Sequence, residues 1–135
     1  KLNFSIIDFV IALPNVESVV FKEHEGSFLV GMMAAMASKS GKVGFVGGMD
    51  VPLIRNFEYG YLQGAQSARP DIKVMREVIG NTRDAWSNPK RAEELASQQY
   101  DAGADIIFAA AGGSGLGVLE AAKKKGKQRL ISKIT

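Results

Sequence analysis

Apolar positions along this chain keep two rhythms in turn. Short continuous apolar runs alternate with stretches whose apolar residues recur near the ~3.6-residue period of a helix. Residues 3–8, NFSIID, read as a short strand ending in Asp8. Residues 16–21, VESVVF, read as a second, after a Pro14-Asn15 turn. Residues 27–38 are small or apolar almost all round, which predicts a buried helix with Met32, Met33 and Met36 as core filler. Glu23 and Glu25 suit its N-terminal end, Lys39 and Lys42 suit its C-terminal end, and Gly41 offers a stop.

The stretch 42–64, KVGFVGGMDVPLIRNFEYGYLQG, is the most informative. It predicts a strand through Val43 and Val46, a turn at Gly47-Gly48, and a helix with Leu53, Ile54, Phe57, Tyr61 and Leu62 on one face. Asp50 is placed to cap that helix and Pro52 suits its first turn. Further strands are predicted over 72–79, 105–110 and 129–134, and helices over 89–102 and from Val118 to a stop at Gly126. Ser87 or Asn88 caps the first of these helices and Gly103 ends it, while residues 80–86 read as a loop. Strands alternating with helices predict an α/β fold with a parallel sheet. In such sheets ligands bind at the carboxyl ends of strands. Asp8, Asp50 and Asp84 each follow a predicted strand and could face one cleft.

Composition narrows the picture. The 135 residues fit one ordinary domain, at 46% hydrophobic and 23% charged. The net charge of +3 gathers partly in a late cluster, Lys123, Lys124, Lys125, Lys127 and Arg129. No basic stripe interleaved with aromatics exists elsewhere, so nucleic acid is not an expected partner. With no cysteine, disulfides and thiolate metal sites are excluded. No apolar run approaches the ~20 residues of a spanning helix. Lys1 opens directly into an apolar strand, which gives the chain the look of a piece of a longer one.

Catalytic chemistry finds little support. The AGGSGLG turn at 111–117 lies between a strand and a helix but lacks the G-x-G-x-x-G spacing, since Val118 stands where a glycine is needed. No Lys-Ser/Thr pair makes it a phosphate loop. Three readings stay open there: a tight connection, a polar ligand held by backbone N–H groups, or a phosphate cofactor. Ser114 is not in a G-x-S-x-G elbow, because Leu116 takes the second glycine position. His24 is the only histidine, and the Glu23-His24-Glu25 triplet does not converge as metal ligands would on a helix. It reads as solvated surface.

Three segments together carry a family resemblance: VESVVFKEHEGSFLVGMMAA, KVGFVGGMDVPLIRNFEYGYLQGA and AGADIIFAAAGGSGLGVLEAAKKKGK. With E-G-S-F-L, F-V-G-G-M-D and A-G-G-x-G-x-G in this order, the chain resembles the basic membrane lipoprotein family. These are the purine-nucleoside receptors among ABC-transporter substrate-binding proteins. The resemblance implies a Rossmann-like parallel-sheet lobe, three layers α/β/α, of a type I periplasmic-binding-protein fold. Residues 1–21 would be the end strands of lobe one and the start of the crossing. Residues 22–135 would be lobe two, incomplete at its C-terminus.

The implied function is binding of a nucleoside between two lobes and delivery to an ABC permease, with no catalysis, cofactor or metal. The full-length family is lipid-anchored on the extracytoplasmic face of the cell membrane. The implied ligand-binding residues are Asp8 and Asp84 on ribose hydroxyls, Phe57 as a base-stacking ring, and Gly112 and Gly113 as backbone lining, with Trp86 as a wall. For Phe57, core packing stands equally open. A nucleotide-binding enzyme domain using the 112–117 loop is the alternative function, and self-association of a half-site is a further possible partner state. Two departures from the family are expected to weaken binding: residues 129–135 lack the family's I-G-V-D-x-D aspartates, and residues 9–13, FVIAL, are unusually apolar for a cleft edge.

Overall fold

The computed structural model describes residues 2–126 and 130–132. Two parallel sheets form. The smaller pairs β1 (Phe4–Ile7) with β2 (Val16–Val19), Phe4 opposite Val16. The larger has four strands in the order β4-β3-β5-β6. Its members are β3 (Lys42–Met49), β4 (Lys73–Gly80), β5 (Ile106–Ala110) and β6 (Leu130–Ser132). Val43 lies opposite Val74 on one side and Ile106 on the other. Arg129, Lys133 and Ile134, which the sequence adds to the last strand, lie outside the described residues.

Helices cover both faces of the larger sheet: α1 (Glu23–Ala37), α2 (Pro52–Ala68), α3 (Pro89–Asp101) and α4 (Gly115–Lys124). The strand pleat sorts the central side chains between two cores. Val43, Phe45, Ile106 and Phe108 face α1 and α2, where Ile54, Tyr61 and Ala65 meet them. Val46, Ile107 and Ala109 face α3 and α4, where Leu95, Ala96, Val118 and Ala121 meet them. Burial on both faces explains why β3 and β5 read as unbroken apolar runs. The α1–α2 contact is a close backbone approach. A Cβ on Gly31 would collide with the carbonyl oxygen of Tyr61, and one on Gly64 with that of Phe28.

Several expectations need correction. The first helix begins at Glu23 rather than Ser27. It is not buried all round: Leu29, Met33 and Met36 are 61%, 63% and 75% exposed. These two methionines are surface, not core filler. Apolar character on every side of a helix reports burial only when something covers each side, and among the described residues α2 and the sheet leave one side of α1 uncovered. Gly41 is not the helix stop. Ser38 caps the C-terminus, and its hydroxyl donates to Asp105 Oδ1 at 2.7 Å. The Lys39 and Ser40 N–H groups donate to Asp105 Oδ2 at 2.7 and 2.9 Å. Neither Lys39 nor Lys42 lies in the helix's last turn, and Lys42 Nζ donates instead to the Ala102 carbonyl at 2.9 Å. The expected 80–86 loop holds a one-turn 3-10 helix, Arg83–Trp86. Asn88, not Ser87, caps α3 by accepting the Arg91 N–H at 3.0 Å. β2 ends at Val19, short of Phe21.

Candidate functional site

At the carboxyl ends of β3 and β5 the chain encloses a cavity of about 110 Å³. Its lining is Asp8, Leu53, Ile54, Phe57, Trp86, Ala110, Ala111 and Gly112. Each element delivers its residue for a local reason. Asp8 sits just past β1, its N–H bonded to the Val19 carbonyl at 2.9 Å. Its φ of +63° turns the chain sharply, in a left-handed conformation that aspartate tolerates better than most residues. Leu53, Ile54 and Phe57 come from the first turns of α2, started by Pro52. Phe57 is 8% exposed and packs edge-on against Phe108, ring centres 6.4 Å apart. It belongs to the core and lines the cavity at once, so the two readings of this residue are compatible.

Trp86 closes the 3-10 turn and lies across the strand ends. A Cβ on Gly48 would collide with its ring, and Gly112 passes close beside it. Gly47 and Gly48, expected as a turn after the strand, instead lie within the last residues of β3, and Gly48 is the seat of the indole. Gly112 has φ +54°, which a side chain would strain, and brings bare backbone to the cavity. The turn behind it is held by Ser114. That hydroxyl accepts the Asn88 N–H and donates to the Ala85 carbonyl, both at 2.7 Å. Ser114 is fully buried and serves as a structural tie.

The three aspartates do not converge. Asp8 reaches the cavity, whereas Asp50 and Asp84 are not among its lining residues. Asp50 does not cap α2: the cap position is Val51, and no side chain fills that role. Instead Asp50 makes a two-point ion pair with Arg55, Nε to Oδ1 at 2.6 Å and Nη2 to Oδ2 at 2.9 Å. That hydrogen-bonded guanidinium holds the Asp50 carboxyl below its ordinary value. The pair borders a separate charged groove of about 470 Å³ with Glu58, Arg76 and Glu77. Asp84 is exposed at the start of the turn that swings Trp86 inward. Gly113 is exposed beside the Trp86 carbonyl and also outside the lining.

Leu53, Ile54, Ala110 and Ala111 line the cavity but were not singled out by motif reading. Their signal is positional: the first helical turn after one strand and the last residues of another. The later glycines of the 112–117 loop serve packing. A Cβ on Gly117 would collide with the Pro89 carbonyl, so this residue lets α4 sit directly on α3. His24 is exposed, and no cluster of three or more metal-ligating side chains exists among the described residues. No helix among them is long and apolar enough to cross a membrane.

A family model described as ABC transporter substrate-binding protein PnrA-like matches residues 1–134. Basic membrane protein D of Borreliella burgdorferi is 42% identical over 97% of this chain, which spans 38% of that relative. The ABC transporter nucleoside-binding protein BmpA of Lactococcus lactis is 41% identical over 91% of this chain, spanning 34% of it. Among solved structures, a solute-binding protein of an ABC transporter system from Aeropyrum pernix superposes with a TM-score of 0.81 at 28% identity. That match covers 92% of this chain and 36% of the other. A periplasmic solute-binding protein from Actinobacillus succinogenes, with bound D-allose, shares the fold at a TM-score of 0.71 and 19% identity, over 95% of this chain and 48% of the other.

Proposed function

The chain belongs to the family of PnrA-like ABC transporter substrate-binding proteins, and from that premise we propose that it supplies one wall of a nucleoside-binding cleft. Residues 1–21 are the tail of one lobe and the start of the crossing, and residues 22–135 are most of the other lobe. The observation that carries this reading is the meeting of a carboxylate, two aromatic rings and bare glycine backbone around one cavity at the strand ends. A purine offers a flat π surface to Trp86 and the edge of Phe57. Ribose hydroxyls donate to the Asp8 carboxylate in charge-assisted hydrogen bonds. Asp84 and Gly113, both exposed and outside the cavity lining, keep their expected ligand roles only if the facing lobe brings the ligand to them. The name of the Lactococcus relative supports nucleoside over other solutes.

The cavity of about 110 Å³ is well below the ~300 Å³ of a small-molecule pocket. A nucleoside is held only when a facing lobe closes over this wall by a hinge motion. In that arrangement the full-length protein is anchored at the extracytoplasmic membrane face and hands its ligand to a permease. The 135-residue chain alone is then expected to bind adenosine, guanosine and inosine weakly or not at all. Calorimetry checks this, and a sub-micromolar dissociation constant would refute it. In the full-length protein, Trp86 is the only tryptophan of this segment, so its fluorescence should change on nucleoside addition. Trp86→Ala and Asp8→Ala should each weaken binding by about 1–3 kcal/mol. Unchanged affinity in both variants would remove the cavity from the site.

A further inference from the structure

The wall at the strand ends is assembled from two short turns that belong to different strands. One is Arg83–Trp86, which follows β4, and the other is Gly112–Ser114, which follows β5. β4 and β5 lie on opposite sides of β3. Trp86 therefore arrives from the β4 side, rests over Gly48 at the end of β3 and meets Gly112 on the β5 side. One buried side chain joins the two turns. The Ala85 carbonyl and the Asn88 N–H stand three residues apart, the spacing of a 3-10 hydrogen bond. Neighbouring bonds of this kind close directly, Ala85 N–H to the Thr82 carbonyl and Ser87 N–H to the Asp84 carbonyl, each at 3.0 Å. Between Ala85 and Asn88 the Ser114 hydroxyl stands in the gap, donating to the carbonyl and accepting the N–H, both at 2.7 Å. It thus grips the chain on either side of Trp86, while Ser114 itself is fully buried and outside the cavity lining.

We propose that Ser114 is a positioning residue for the binding wall: it holds the 85–88 segment open, fixes Trp86 against Gly112, and through Trp86 sets ligand affinity. This role rests on the nucleoside-cleft reading. Without the hydroxyl, the Ala85 carbonyl and the Asn88 N–H lose their shared partner, and leaving buried backbone groups unpaired is costly. They regain a partner by closing on each other. That closure tightens the turn by the width of the missing oxygen and carries the indole away from Gly48. Ser114 touches no ligand in this arrangement. Its effect on binding passes wholly through the ring it places.

Calorimetry of the full-length protein with inosine, guanosine and adenosine tests it. Ser114→Ala should weaken binding by about tenfold, the size of effect that one displaced stacking ring produces. In a Trp86→Ala background the same change should cost less than about twofold, because the residue through which it acts is gone. Trp86 emission, taken as the difference from the Trp86→Ala protein, should shift with Ser114→Ala, and the Asn88 amide should exchange faster. Ser38→Ala is the control. It removes another hydroxyl bond, to Asp105, where β3 and β5 begin rather than end. It should lower stability without changing affinity or emission. If Ser114→Ala does not fold, Ser114→Cys carries the same comparison, since it keeps most of the bulk but hydrogen-bonds weakly. Equal affinity losses with and without Trp86 overturn the proposal, as does an unmoved emission or a loss that Ser38→Ala matches. Wild-type protein that binds no nucleoside sinks the nucleoside reading instead. Emission then decides the placement of Trp86 alone, a shift with Ser114→Ala but not with Ser38→Ala supporting it and any other pattern rejecting it.

Discussion

Trp86 lies where a Cβ on Gly48 would project, so the bareness of that glycine is what admits the indole. Gly48→Ala should therefore push the ring out of the wall. We expect a loss of about 1–3 kcal/mol in stability, read by urea unfolding, and a shifted emission maximum from Trp86. An unchanged spectrum would show that the indole does not rest there. Asp105 poses a different residue-scale question. Burial alone would raise its pKa, but hydrogen bonds from the Ser40 N–H, the Ser38 hydroxyl and the Lys39 N–H outweigh burial and hold it below the ordinary aspartate value. A lowered folded pKa means full stabilisation above the unfolded value and loss as pH falls through the folded one. The wild-type chain should thus shed this contribution below about pH 4. Asp105→Asn, which has no such carboxylate, should be less stable at neutral pH by about 1 kcal/mol and show a smaller stability loss in that acid window. Parallel acid titrations of the two proteins would reject the idea. At this scale the sequence was a partial guide to the site. That Asp8, Phe57 and Gly112 line the cavity was legible because strand ends and helix starts fix where such residues sit. That Asp84 falls outside its lining was not, because within one 3-10 turn only the backbone path decides that Trp86, two residues later, swings inward.

Between elements, the α1–α2 pair depends on Gly31 and Gly64 facing the other helix's carbonyls. The atoms in the way are backbone, which cannot rotate aside. Gly64→Ala should force the helices apart and destabilise the chain by about 1–3 kcal/mol or more, despite alanine's better helix propensity. Gly26→Ala on the open side, where an added Cβ meets nothing within 4 Å, should be neutral or slightly stabilising. Comparing the two unfolding midpoints separates packing from propensity, and equal shifts would contradict the close approach. Element types were readable because each core face imposes its period. Val43 through Val46 had to be apolar throughout once both sheet faces were covered. The exposure of α1 was not readable, since Leu29, Met33 and Met36 look the same in a sequence whether a partner covers them or water does.

Across the whole molecule, the two sheets differ in how firmly they are held. In β3 and β5, Val43 through Gly48 and Ile106 through Ala110 are all buried between helix layers. In β1 and β2 no residue is fully buried, and Phe4, Ile7, Val20 and Phe21 in and beside them stand exposed. A two-stranded sheet is marginal by itself in water. Local opening follows burial and contact with a core, so amide exchange should divide the chain in two. The amides of residues 43–47 and 106–110 should exchange only with global unfolding. Those of residues 4–7 and 16–19 should exchange far faster in this chain, and, if the proposed two-lobe arrangement holds, become protected in the full-length protein. That coupling matters for the proposed cleft, because Asp8 is attached to the weaker sheet while Trp86, Phe57 and Gly112 are attached to the stronger. Nucleoside binding by the full-length protein should then protect residues 4–8 more than residues 43–47, having more local opening to suppress. Uniform protection of both sheets in this chain would break the argument. It would mean that the Asp8 side of the site is already as rigid as the wall it faces.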